Sequence, residues 1–305
     1  MPGSICQRAS GGRESLCRIM DALMPELPEV ETVVRGLRAT LPGRRIVGVR
    51  LGKTDFIDDA VALERHLPGL RMTDVERYGK FIALHLQGDS GTRSTLLIHL
   101  GMTGQLTVRD SREPAPAHTH VWLALDNGSE LRFTEVRRFG RIALLPDARV
   151  RDILGKLGAD PLEISPAEFT ERVARRRAMV KALLLDQLVL RGIGNIYADE
   201  SLWRARIHPR QQADRLRPER IRKLLRALQA VLREAIRLRG SSVSDYLDAA
   251  GDPGEYQRRH RVYQREGKAC FRCGATIRRV IVAGRSSYFC PKCQPAPRKA
   301  KRNLK

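Results

Sequence analysis

No run of apolar residues in this 305-residue chain approaches the roughly 18 that a membrane span requires. The first 23 residues also lack the apolar core, roughly 7 to 15 residues long, that marks a secretory signal. Acidic residues are in deficit: 34 Asp and Glu stand against 56 Lys and Arg, a formal net charge of +22. Arginine dominates the basic residues, which suits bidentate contact with phosphate better than generic solubility. No basic amphipathic helix with a bulky aromatic face stands out, so membrane-surface binding is disfavoured and nucleic acid is the polyanion to expect. There is no internal repeat, and the length predicts a full core divided among two or more domains.

Cysteine is also sparse, at six residues. Cys6 and Cys17 lie near the start. The other four form Cys270-x2-Cys273-x16-Cys290-x2-Cys293. Two such knuckles suit one tetrahedral ion better than two disulfides, and no secretory signal accompanies them. Four thiolates leave no open position for water, so the expected metal is one structural zinc ion, with no organic cofactor.

Apolar Val30, Val33, Val34, Leu37 and Leu41 recur at helical spacing and predict a helix over 28–41, with Pro28 in its first turn and Gly43 as its stop. Glu26, Glu29 and Glu31 at its beginning suit the helix dipole. From Arg45 to Leu145 the pattern turns to strands, over 46–51, 75–86 and 95–108. A hairpin follows, with arms 121–125 and 131–134 around Asp126-Asn127-Gly128-Ser129. A β-sandwich covered by the first helix is expected. Beyond 148 the character is helical: Ser165 to Glu168 reads as a capping-box start, and 217–239 as a long basic amphipathic helix closed by Gly240. Residues 241–260, rich in Gly, Ser and Asp, read as a mobile loop, and the tail from Pro295 as disordered.

Two short motifs carry chemistry. In MPELPEVE, residues 24–31, Pro25 is inert while its nitrogen is an amide, but at a chain start it is a secondary amine able to attack a sugar C1′ and form an imine. Residues 1–23 are therefore expected to be a leader absent from the active protein, through a misassigned start. Arg8, Arg13 and Arg18 leave a transit peptide as the alternative. Glu26, beside the prospective amine, is suited to protonating the sugar ring oxygen. In Arg191-Gly192-Ile193-Gly194-Asn195-Ile196-Tyr197, Asn195 is a natural N-cap, and the glycines let backbone approach a phosphate at a helix N-terminus.

The chain resembles the bacterial formamidopyrimidine-DNA glycosylases. The resemblance runs from Met24 to Gln294 through MPELPEVE, YGKF at 78, HLGMTG at 99, HTHV at 118, RRFG at 137, GIGNIYADE at 192, RVYQREGKAC at 261 and the ribbon ending AGRSSYFCPKCQ. It implies an α+β multidomain fold: a catalytic β-sandwich with a flanking helix over 24–150, a helix-two-turn-helix DNA-binding domain over 151–260 whose loop 241–260 covers the lesion, a zinc ribbon over 261–294 and a basic tail over 295–305. It also implies excision of oxidised purines followed by abasic-site lyase β- and δ-elimination through a Schiff base, with Pro25 as nucleophile, Glu26 as proton donor, Lys80 reaching the damaged nucleotide, and Glu29 in support. Met102, Arg137 and Phe139 would fill the void left by the extruded nucleotide. His118, Arg137, Asn195 and Arg285 would contact DNA, with His99, Tyr263 and Arg279 as weaker candidates.

The implied protein is a cytoplasmic monomer acting on double-stranded DNA that carries an oxidised or abasic site, without a membrane. The sequence departs from the family pattern at Glu135-Val136, Arg191 and Tyr78, and Ser244 stands where a basic side chain is common. Two other readings remain open. An endonuclease VIII-like enzyme for oxidised pyrimidines shares the nucleophile, although Leu27 argues against it. A catalytically silent zinc-ribbon DNA-binding protein would keep the charge and the ribbon without a free Pro25.

Overall fold

The computed structural model describes residues 25–243 and 246–297. The expected leader 1–23, Ser244 and the tail from 298 onward lie outside the described residues. The chain divides into two compact units, one formed by residues up to 156 together with 238–255, the other by 157–237 and 256 onward.

The first unit opens with α1, Leu27–Arg38, whose Val30, Val33, Val34 and Leu37 are fully buried on one face. Eight strands follow: β1 Ile46–Leu51, β2 Arg71–Tyr78, β3 Phe81–Gln87, β4 Arg93–His99, β5 Gln105–Asp110, β6 Thr119–Leu125, β7 Ser129–Thr134 and β8 Arg141–Pro146. They form two four-stranded sheets, ordered β1-β6-β7-β5 and β2-β3-β4-β8, with every pairing antiparallel. Ile46, Leu123 and Phe133 from the first sheet, Val75, Leu84, Leu96 and Ile142 from the second, and Val34 and Leu37 from α1 share one apolar cluster. Each such buried side chain contributes roughly 1.5 to 3 kcal/mol, so the expected sandwich is held by its common core. Two short helices, α2 Ala60–His66 and α3 Asp147–Leu154, complete the sequence of elements up to 156.

Two of the expected strands prove to be pairs. The apolar alternation across 75–86 hides the turn at Gly79-Lys80, where Tyr78 pairs with Phe81 and Gly79 takes φ +63°. The run 95–108 breaks at 100–104, where Gly101 has φ +70° and the Gly104 N–H donates to the Leu100 carbonyl. Each break carries a residue of the expected site, Lys80 in one and Met102 in the other.

The segment after Gly240 (φ +79°) returns to the sandwich. Tyr246 and Ala249 join its core. Gly36 makes room for Ala249, since a Cβ there would stand 2.7 Å from the alanine Cβ. Much of the stretch read as a mobile loop is thus packed, anchored by two apolar side chains that its Gly, Ser and Asp content outnumbers.

In the second unit Ser165 caps α4, Pro166–Ala174, accepting the Glu168 N–H at 3.2 Å as the sequence predicts. After α5, Val180–Leu185, the helices α6, Asn195–Ala205, and α7, Pro218–Arg237, pack on each other. The ribbon follows as the hairpin β9, Arg278–Val282, and β10, Arg285–Phe289.

Candidate active site

Pro25 and Glu26 immediately precede α1, and both are buried. Glu26 is the N-cap, and the Glu29 Oε2 accepts the Glu26 N–H at 3.0 Å to close a capping box. The other Glu29 oxygen accepts the Ser241 N–H at 2.7 Å, and its carbonyl accepts the Tyr246 hydroxyl at 3.2 Å. Burial, and then the Glu29 charge, hold the Tyr246 phenol well above its ordinary range, so it stays a donor. Gly240 lies so close that a Cβ would sit 2.9 Å from the Glu29 side chain. Glu29 therefore braces the start of α1 against the returning segment.

Lys80 is buried in the β2–β3 turn. Burial first, and its charge second, push the His99 imidazole down to about 3. His99 is thus neutral at physiological pH. Its Nδ1 accepts the Gly101 N–H at 3.1 Å, which leaves the proton on Nε2, a buried atom with no hydrogen-bond partner among the described residues. As a phosphate contact His99 can offer one N–H but no positive charge.

Met102 is half-buried in the 100–104 turn, whereas Arg137 and Phe139 are exposed between β7 and β8. Phe139 is 51% exposed, and the Arg137 guanidinium lies 4.6 Å over its ring, a cation–π pair. That exposure separates Phe139 from the core aromatics. Arg138 turns away to Asp55 at 3.0 Å. His118 is exposed at φ +64°, its ring 6.5 Å from buried His120, a neighbour in the same motif that the sequence reading passed over. Burial first, and His118 second, depress the His120 pKa.

In the second unit Asn195 is the first residue of α6 and Gly194 its N-cap, one position earlier than the sequence reading placed the cap. The Asn195 side chain instead donates from Nδ2 to the Ser286 carbonyl at 3.0 Å. Lys181 donates to the same carbonyl at 3.1 Å and pairs with Asp199 at 2.6 Å, both side chains being almost wholly buried. Asp199 also accepts the Tyr288 N–H at 2.8 Å. These contacts fix β10, and with it Arg285 at the mouth of the Ala283-Gly284 turn, to the start of α6. Lys181 and Asp199 escaped the sequence reading, for nothing in their spacing signals that they pair. Arg279 is committed to Glu266 at 3.0 Å. The Tyr263 N–H is one of three successive backbone donors to buried Glu200, and its ring lies 5.4 Å from that of Tyr288.

Cys270, Cys273, Cys290 and Cys293 bring four Sγ atoms within 4.8 Å of one another, with 3.4 Å between Cys273 and Cys290 and 3.5 Å between Cys273 and Cys293. Zinc–sulfur bonds of about 2.3 Å in a tetrahedron place sulfurs roughly 3.8 Å apart, so the cluster fits the ion. Gln294 steadies it, accepting the Cys290 N–H and donating to the Ile207 carbonyl. The site holds a structural zinc.

A basic chain that joins a sandwich with a buried acid at its helix start to a helical unit and a four-thiolate ribbon falls in the class of zinc-containing DNA-processing proteins. Three family models match in order: the formamidopyrimidine-DNA glycosylase N-terminal domain over 24–142, the H2TH domain of the same enzymes over 157–246, and the zinc finger found in FPG and IleRS over 267–296. The formamidopyrimidine-DNA glycosylase of Solibacter usitatus is 47% identical over 273 residues, covering 89% of this chain and 99% of that protein. The enzyme of Pelotomaculum thermopropionicum is 44% identical over 277 residues, with the same two coverages. Among solved structures, Lactococcus lactis Fpg in complex with DNA containing an abasic site superposes with a TM-score of 0.82 at 33% identity, covering 89% of this chain and all of that one. Thermus thermophilus MutM (Fpg) gives 0.77 at 41% identity, with coverages of 90% and 100%. The chain belongs to the formamidopyrimidine-DNA glycosylase family.

Proposed function

We propose that this protein is a base-excision-repair DNA glycosylase that removes 8-oxoguanine and formamidopyrimidines from duplex DNA and then cleaves the strand as an abasic-site lyase. The observation that carries the reading is the near-complete match to enzymes of that name, with Pro25 and Glu26 standing together at the start of α1. Related Lactococcus lactis complexes hold Fapy-dG and abasic DNA. Another holds an oxidised pyrimidine, which favours a substrate range wider than purines.

In the proposed reaction the Pro25 amine, freed by loss of everything before it, donates its lone pair to C1′ of the extruded nucleotide. The glycosidic bond breaks, and the base departs with the electron pair of that bond and takes up the proton that the attacking nitrogen loses. Glu26 protonates the ring oxygen as the C1′–O4′ bond breaks and the sugar opens, leaving an iminium-type Schiff base between the proline nitrogen and C1′. Loss of a C2′ proton then expels the 3′ phosphate, and a second elimination expels the 5′ phosphate. Lys80 holds the damaged nucleotide at its phosphate, and Glu29 keeps the start of α1 in place. Met102, Arg137 and Phe139 fill the vacated stack, the guanidinium facing the orphaned base. His118, Asn195 and Arg285 grip the backbone, with His99, Tyr263 and Arg279 in lesser roles. The loop 241–260 covers the extruded base, a role suited by the packing of residues 241–243 and 246–255 on the unit that carries Pro25. The protein works as a monomer in the cytoplasm, at the nucleoid.

The test is borohydride trapping on a duplex with 8-oxoguanine opposite cytosine, followed by mass measurement of the conjugate. A conjugate whose protein part begins at Pro25 is expected. DNA binding without trapping would overturn the reading in favour of a silent binder.

A further inference from the structure

Glu135 follows β7 and is completely buried, and its carboxylate is met by a hydroxyl and by backbone N–H groups. Oε1 accepts the Thr103 hydroxyl and, at 3.2 Å, the Arg137 N–H, while Oε2 accepts the Gly140 N–H at 2.9 Å. Thr103 belongs to the turn that presents Met102, and Arg137 and Gly140 belong to the turn that presents Arg137 and Phe139. One carboxylate therefore spans both. The two turns touch so closely that a Cβ on Gly101 would lie 2.4 Å from the Gly140 nitrogen and 2.6 Å from Glu135 Oε2. The backbone reaches a third segment as well, since the Glu135 N–H donates to the His118 carbonyl at 3.0 Å.

A buried carboxylate costs free energy to hold out of water unless hydrogen-bond donors replace that water on both of its oxygens. Here three donors join two loops that are separate in sequence and whose side chains, in the void-filling reading, enter DNA together. We propose that Glu135 is a positioning residue for opposite-base recognition: it sets Met102 against Arg137 and Phe139 so that the three occupy the vacated stack as one piece. This rests on the void-filling reading above and adds to it a residue that touches no DNA.

The experiment uses the protein beginning at Pro25 and compares Glu135→Gln with the unaltered chain. Glutamine keeps the shape but turns one acceptor oxygen into a donor facing other donors. Two readouts are taken: single-turnover excision of 8-oxoguanine opposite cytosine and opposite adenine, and borohydride trapping on a single-stranded abasic oligonucleotide, which has no opposite base and no stack to fill. The expected result is at least a fivefold loss of the cytosine-over-adenine preference, with duplex excision falling at least tenfold more than single-strand trapping. Thr103→Val, which removes only the hydroxyl donor, should shift both quantities the same way by two- to fivefold, and it carries the test if the glutamine variant melts early. Equal losses on both substrates would reveal a merely structural residue, and an unchanged preference would do the same; either overturns the proposal. Failure of the unaltered protein to trap on either substrate would instead overturn the glycosylase reading, and this proposal with it.

Discussion

Replacing Lys181 with methionine tests whether the second unit depends on its buried ion pair. Methionine fills much of the lysine stem but leaves Asp199 without the ammonium that lies 2.6 Å away, and it withdraws one of the two donors to the Ser286 carbonyl. Removing one partner of a buried pair costs about 3 to 5 kcal/mol. The cost depends on pH, because burial already pushes Asp199 up to about 7 against the pull of Lys181. A raised carboxylate means that the folded state holds a proton which the unfolded state releases. Stability therefore falls as pH climbs from near 3.8 towards the folded value, and without the lysine that fall continues beyond 7. Each further pH unit adds up to about 1.4 kcal/mol to the deficit, so the variant should suffer more at pH 8 than at pH 6.

The chain contains two tryptophans, Trp122 in β6 and Trp203 in α6, one in each unit. In a Trp122→Phe background, fluorescence during a urea titration with zinc present reports the second unit alone. With a slope of about 2 kcal/mol per molar, the midpoint should drop by roughly 1.5 to 2.5 M at pH 8. A drop below about 0.5 M, or a larger deficit at pH 6 than at pH 8, would refute the reasoning.

Glu29→Gln should destabilise the first unit by about 1 to 3 kcal/mol, since an amide then confronts the Glu26 or Ser241 N–H; urea unfolding followed by Trp122 fluorescence checks this. His99, held down to about 3 by burial and by Lys80, lends stability that is fully present above its ordinary 6.5 and is lost as pH falls towards 3. That loss amounts to at most about 5 kcal/mol over the window, and His99→Gln should flatten the fall of the first unit's melting temperature between pH 7 and 4. Parallel curves for the two proteins would contradict it. Chelating the zinc should unfold the ribbon, whose metal is worth roughly 10 to 16 kcal/mol in small zinc peptides. It should change the emission of Trp203, which packs on the cysteine cluster, and weaken DNA binding measured on the same sample.

What the sequence disclosed was local and periodic. The helix at Val30 to Leu37, the capped start at Ser165, the hairpin at Asn127-Gly128 and each of the two Cys-x2-Cys knuckles depend on neighbours within a few positions, and each is found where the pattern puts it. The turns at Gly79 and Gly101 were concealed because apolar alternation runs on through them, and only the reversal of the chain at Gly79 and its passage from one sheet to the other at Gly101 reveal them. The packing of Tyr246 and Ala249, the shared Ser286 carbonyl and the Glu135 bracket join residues far apart along the chain. A buried acid whose partners are a hydroxyl and backbone N–H groups leaves no complementary charge for a reader of sequence to find.

The bond between Glu29 and Ser241 spans 212 positions, and this has a consequence for synthesis. At roughly 5 to 20 residues per second, a ribosome needs about 10 to 40 seconds after making the glutamate to deliver its partner. Throughout that interval the sandwich lacks Tyr246 and Ala249, and the site at the start of α1 lacks its brace. The residues expected to do the chemistry are thus among the first of the described residues to be made and among the last to be locked. A fragment cut at residue 156 would carry every expected catalytic side chain and still be an unfinished domain.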